Sequence, residues 1–279
     1  MTTAQIAPAA RSRLLPPETG RAGFADALRS EFTKIRSTRS TYWTLLALIV
    51  VCIGIGALSC AGTAANPKGI SPAGFDGTQQ SLAGLYVGQL VIAALGALTI
   101  TSEYSTGMIR TSLSVMPRRR ILYAAKAAVF TAIALVVAFL TSFAAFFIGQ
   151  ALLSSTHASA TLSQPNVLRA VTCAALYVAL CGLFSFGLGM ILRSTAGAMA
   201  TAYGLLFLVP QLAKALPSGW YADVVRWLPG GDVVNAITST QTSSLSPNMF
   251  SAWGEFAVFG AYTVVLLAVG AVLFARRDA

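Results

Sequence analysis

The chain has 279 residues, 56% of them hydrophobic and only 10% charged, with a formal net charge of +10 at pH 7. A water-soluble domain carries about 25% charged residues. Side chains this apolar cannot be covered by so little polar surface, so a soluble globular fold is excluded and lipid is the solvent for most of the chain.

Residues 1–20 are poor in large apolar side chains and contain "PPETG", the composition of a disordered tail. Residues 21–279 then form one transmembrane unit. Phe24, Leu28, Phe32 and Ile35 recur at the helical period, with Arg29, Lys34 and Arg36 off that stripe. This predicts an amphipathic helix lying in the membrane interface just before the first span.

Charge-free apolar runs define six spans: Tyr42 to about Ala61, Leu82 to about Thr101, Lys126 to near Gln150, and one run each within Arg169–Arg193, Arg193–Lys214 and Glu255–Arg276. Each supplies the roughly 20 residues that a helix needs to cross a hydrocarbon core of about 30 Å. Backbone groups in lipid must pair within their own segment, so the fold class is an all-α integral membrane protein.

Between spans two and three lies "ITSEYSTGMIRTSLSVMPRRRILYAAK", Ile100–Lys126. On a helical wheel, Tyr104, Met108, Ile109, Leu113, Val115 and Met116 fall on one half. Glu103, Thr106, Gly107, Arg110, Thr111 and Ser114 fall on the other. Pro117 is expected to end this second amphipathic helix, and Arg118, Arg119 and Arg120 to return the chain to the headgroup layer. A plain hairpin needs only a few residues, so a helical segment of this length suggests a docking element. On the far side, the first loop, Gly62–Ser81, is rich in Gly, Pro and Asn, and the second holds His157, the single histidine, as a solvated loop residue. The third carries Trp220, Tyr221, Trp227 and Leu228, which predict a short helix dipping into the outer leaflet.

Six spans put both termini on one side. That side collects 15 basic and 5 acidic residues, against 4 and 4 on the other, which places the termini in the cytoplasm by the positive-inside rule. The basic balance is thereby explained by orientation and anionic lipid headgroups, and nucleic acid is not a partner. The four cysteines all fall in spans, without CxxC spacing, so neither a disulfide framework nor a metal site is indicated. There is no G-x-x-x-x-G-K-[ST] phosphate loop, no H-E-x-x-H and no Asp, Glu, Lys, Arg or His in the middle of a span. An ion-driven carrier and an intramembrane enzyme are disfavoured. A non-transporting anchor or regulatory subunit remains the alternative to a transporter driven by energy from another chain.

Three stretches carry a resemblance: "LRSEFTKIRSTRSTYWTLL" (Leu28–Leu46), "EYSTGMIRTSLSVMPRRRILYAAK" (Glu103–Lys126) and "RWLPGGDVVNAI" (Arg226–Ile237). In this order, among six spans, they resemble the permease subunit of bacterial ATP-binding-cassette transporters of the type-2, export-type family. The resemblance implies a multi-pass protein of the bacterial plasma membrane and export of a lipophilic substrate (drug, lipid or peptide-like metabolite). It also implies a second permease chain, as a homodimer or a sister subunit. This chain would bind no cofactor itself; ATP–Mg would sit on a separate ATP-binding subunit. The loop between spans two and three would be a cytoplasmic coupling helix docking on that subunit through Glu103, Tyr104, Thr106, Gly107, Met108 and Arg110. Phe24, Leu28, Phe32, Ile35, Arg118, Arg119 and Arg120 would flank the ATPase or lie on the membrane. Tyr86, Gln89, Tyr203 and Gln211 are the polar or aromatic residues of spans two and five that would face the pore.

Overall fold

The computed structural model describes residues 23–66, 75–116, 118–154, 156, 159–225, 227–230, 233–240 and 250–276. The tail expected over residues 1–20, Pro117, His157 and part of the first far-side loop lie outside them. Among the described residues there is no strand, and six helices are long and apolar enough to cross a membrane.

Helix α1, Phe24–Ser37, begins where the Asp26 carboxylate accepts the Gly23 N–H at 2.8 Å, and it packs mainly on the third span. The stripe read from the sequence is not the face it buries in protein. Phe24 and Phe32 are exposed, whereas Ala27 and Glu31 are fully buried. The apolar stripe is turned partly to lipid, and a charged residue occupies the contact face.

The chain turns at Thr38 into α2, Arg39–Ala65, the first span. A single turn, α3, Gly77–Ser81, is capped by Asp76, whose Oδ1 accepts the N–H groups of Thr78 and Gln79 at 3.0 Å. The second span, α4, covers Leu85–Ser105 and so runs past Thr101 to include Glu103 and Tyr104. The short α5, Met108–Val115, leads into α6, Arg119–Leu153, whose 35 residues make it the longest helix. At about 1.5 Å per residue it spans roughly 50 Å, so its first turns project beyond the hydrocarbon layer and carry Lys126 within the helix. Helix α7, Val167–Leu192, is the central and most deeply buried span.

The fifth span combines α8, Thr195–Tyr203, a π-helical turn over Gly204–Leu208, and α9, Val209–Ala213. Pro210 has no N–H to donate four residues back, and a π-turn just ahead of it accommodates the missing bond. Two short helices, α10 (Ser218–Val225) and α11 (Val233–Thr238), precede the sixth span, α12, Ala252–Arg276. Trp220 and Trp227 are exposed, as the expected interfacial role requires, while Val233, Val234 and Ile237 of α11 are buried against α7, α12 and α3.

Close packing of small residues sets the core. A Cβ on Gly96 of α4 would lie 2.1 Å from the Gly182 carbonyl oxygen of α7, and one on Gly84 would lie 2.1 Å from the Cys52 carbonyl oxygen of α2. In lipid, where no hydrophobic force draws helices together, such backbone approach is what makes them associate. Gly96→Ala is therefore expected to force α4 and α7 apart and destabilise the protein by about 1–3 kcal/mol. Gly54→Ala, where nothing lies within 4 Å of the added Cβ, should change stability by less than about 0.5 kcal/mol. Thermal unfolding of both variants in detergent checks the pair; equal losses would refute the packing argument.

Candidate functional site

On the side of the termini, four charged side chains from three helices meet. Glu31 and Lys34 come from α1, Glu103 from the end of α4 and Lys126 from the second turn of α6. Lys126 Nζ lies 2.5 Å from Glu31 Oε2 and 2.7 Å from Glu103 Oε1. Lys34 Nζ lies 2.8 Å from Glu31 Oε1 and 3.3 Å from Glu103 Oε1. Lys34 also donates to Ser112 Oγ of α5 at 3.0 Å, which ties the short helix to the same node. Glu31 is 1% exposed, Lys126 3% and Glu103 7%.

A buried ion is tolerated only when it is paired and hydrogen-bonded. Two carboxylates and two ammonium groups balance here, so the quartet is neutral as a whole. Burial alone pushes the Lys34 ammonium toward its neutral form, and this is the largest single influence on it. The hydrogen bond and charge of Glu31, with the charge of Glu103, together outweigh it and leave its pKa above the ordinary lysine value of 10.5.

The turn between α4 and α5 follows from Gly107, whose φ of +70° lies in the left-handed region that favours glycine at a helix C-terminus. The Thr106 and Gly107 N–H groups close on Ser102 O and Tyr104 O at 3.1 and 3.3 Å. Helix α5 turns Ile109 and Met116 inward, with Leu113 half-buried between them, and leaves Met108, Arg110, Thr111 and Ser114 exposed. Tyr104 packs on the end of the fourth span: its hydroxyl donates to Met190 Sδ at 3.4 Å, and the Arg193 guanidinium lies 5.0 Å above its ring. Thr195 and Thr101 hydroxyls meet at 2.7 Å beside it.

Of the residues expected on one docking helix, then, Glu103 and Tyr104 are drawn inside, because span two does not end before them. Thr106, Gly107, Met108 and Arg110 stay on the outer surface of the turn and α5. Arg118 and Arg120 are exposed, Arg119 half-buried. Leu28 and Phe32 line a groove with Val129, Ala132, Ile133 and Val136 of α6. Glu31, Lys34 and Lys126 were missed as a group by sequence reasoning. Their one local signal is an acid and a base three residues apart on α1, together with a lysine set among apolar residues at the head of span three.

The expected pore residues lie toward the opposite side. Gln89 is buried, accepts the Tyr177 hydroxyl at 2.6 Å and donates to the Tyr86 carbonyl at 3.1 Å. Tyr86 donates its hydroxyl to Asn235 of α11, which also receives Gln79 Nε2 at 3.1 Å. Tyr86, Gln89 and Gln211 share a crevice of about 10 Å³ with Lys214, the lower limit for one water. Tyr203 lies outside it, half-buried on the fifth span.

The family model described as an ABC-2 family transporter protein matches residues 27–211, from the buried face of α1 to the end of the fifth span. The chain belongs to the ABC-2 transporter family. No curated protein matches it. The matched region contains all four charges of the quartet and the whole of α5. As an ABC-2 family protein the chain is a multi-pass membrane permease rather than a catalyst, and the family implies an ATP-binding partner.

Removing one member of the quartet strands its neighbours in a buried site, which typically costs about 3–5 kcal/mol. Lys126→Met is expected to lower stability by that order. Adding Glu103→Gln, which leaves Glu31 and Lys34 as a balanced pair, should recover more than half of the loss in a double-mutant cycle of thermal unfolding. A group whose pKa is raised on folding contributes stability in full below its unfolded value and loses it as pH rises through the folded one. The stability gap between the wild type and Lys34→Met should thus be constant from about pH 7 to about pH 10 and narrow only above the unfolded value of 10.5. A gap that closes already near neutrality would contradict the assignment.

Proposed function

We propose that the chain is the permease subunit of an ATP-driven exporter, with α5 as the helix that docks on a separate ATP-binding subunit. The observation that supports this reading is the pairing of an exposed helix face with a buried charge node. Met108, Arg110, Thr111 and Ser114 are offered to solvent on one face of α5. Through Ser112 and Lys34 the other face joins α1, α4 and α6. A partner that moves α5 therefore moves the ends of spans two and three with it, because displacing any one member of the quartet alone would separate buried opposite charges.

The 15-to-5 excess of basic over acidic residues on the terminal side supports placing α5 and both termini in the cytoplasm, where ATP is available. The functional unit in this reading is two permease chains with two ATPases, and the substrate path runs beside spans two and five. Tyr86, Gln89, Tyr203 and Gln211 contribute the few polar groups of that path. So apolar a wall suits a lipophilic substrate, moved outward.

Affinity purification of the tagged chain from its native membrane is expected to bring a P-loop ATPase along at close to 1:1. Met108→Glu with Arg110→Glu, both on the exposed face, should lower that recovery or the permease-dependent ATP hydrolysis by about tenfold or more, with unfolding temperature unchanged. A chain purified without any ATPase, under conditions that keep such complexes together, would move the reading to a membrane anchor.

A further inference from the structure

A cleft of about 290 Å³ opens beside the quartet, between the α1–α2 elbow and the last turns of α4. It is amphiphilic. Leu95 and Leu98 form its apolar wall, while Thr99, Ser102, Thr38 and Thr41 bring hydroxyls toward its mouth. Glu103 belongs to its lining, is 7% exposed, and among the described residues its Oε2 has no hydrogen-bond partner. Its Oε1, by contrast, takes both lysines. A buried carboxylate oxygen left without a donor is costly, and this one borders a space large enough for a ligand.

Four of the lining hydroxyls are left as acceptors toward the cleft. The hydroxyls of Thr38 and Ser37 donate to the Lys34 carbonyl at 2.8 and 2.9 Å. Those of Thr99 and Thr106 donate to Leu95 O and Ser102 O, each at 2.8 Å. Their protons are thus committed to their own helices and they present lone pairs. All three Lys34 hydrogens have partners in Glu31, Glu103 and Ser112. The cleft sits at the C-terminal ends of α1 and α4 and also at the first turn of α2, so the helix dipoles around it largely oppose one another. The quartet, all four members of which line the cleft, is neutral overall, and Glu103 Oε2 is its one carboxylate oxygen without a donor among the described residues.

We propose that this cleft binds the primary ammonium head of an amphiphile, with Glu103 as its anionic acceptor and the Leu95–Leu98 wall taking the start of the apolar tail. An ammonium brings donors together with a positive charge, so it pairs with a carboxylate oxygen more strongly than a neutral hydroxyl head does. The same head is found on an aminophospholipid of the leaflet that holds α1 and on a free lipophilic amine. The fate of the amine as transported cargo rests on the exporter reading, whereas its binding does not.

The test uses the full chain in phosphatidylcholine nanodiscs and a photoreactive alkylamine with a diazirine near its head, the labelled peptides being mapped by mass spectrometry. Label is expected in residues 35–41 and 95–106, displaced by dodecylamine at least about tenfold more effectively than by dodecanol. It should be lost in Glu103→Gln. Should that variant fold poorly, Ser102→Trp, which fills the mouth from an exposed position and keeps every charge, should abolish label by itself. Replacing half of the lipid by phosphatidylethanolamine separates the sources: loss of label identifies the lipid headgroup as occupant, and unchanged label identifies a free amine. Displacement by dodecanol equal to that by dodecylamine would overturn the proposal, as would label that survives Ser102→Trp. Binding that persists in a chain with no ATP-driven transport would leave this site standing and remove only the exporter reading.

Discussion

Two glutamates and two lysines, three of them buried and Lys34 half-buried, balanced in charge, hold the terminal side of this protein together. Each member depends on the others, since an ion moved from water into a low-dielectric interior is stable only with its counter-charge at contact distance. The quartet therefore fixes α1 against α6, fixes the end of α4 against both, and through Ser112 brings α5 into the same body. Remove it and the interfacial helix has little else to hold it. Phe24 and Phe32 are about half exposed, and Ala27 and Leu28 supply its contact with the hydrophobic core.

The node could not form without the packing above it. Spans two and four approach to backbone contact at Gly96 and Gly182, and spans one and two do so at Cys52 and Gly84. This packing leaves the fourth span at the centre, with α4, α6 and α12 around it. Inside this core Gln89 pairs with Tyr177, and Thr101 and Thr263 donate to carbonyls of their own helices, because in hydrocarbon no water is available to satisfy them. Spans one, five and six bury much less of their surface. They present the apolar faces expected toward lipid or a second chain.

On the far side, hydrogen bonds tie the described loops together. Asp76 caps α3 and accepts the Thr240 N–H at 2.5 Å, Arg169 donates to Ser239 O at 2.6 Å, and Asn235 receives both Gln79 and Tyr86. These bonds close α11 over the ends of α3, α4 and α7. The two sides are thus built differently among the described residues: a charged node that joins α1, α4, α5 and α6, and a hydrogen-bonded cover over the end of the central span.

The residues alone determined that the chain is solvated by lipid, that it crosses six times, and which side holds its positive charge. Hydropathy and charge bias are sums over neighbours in sequence, and a bilayer reads them one segment at a time. Tertiary structure decided which charges leave water. Lys126 meets Glu103 across 23 positions and Glu31 across 95, and no local pattern encodes a partner at that distance. For the same reason the wheel placed Glu103 on the polar half of its segment, whereas the fold buries it, and the wheel gave no sign that Glu31 would be the buried charge of α1. A helix chooses its buried face by the neighbours it meets, and here the neighbours are set by glycines in other spans.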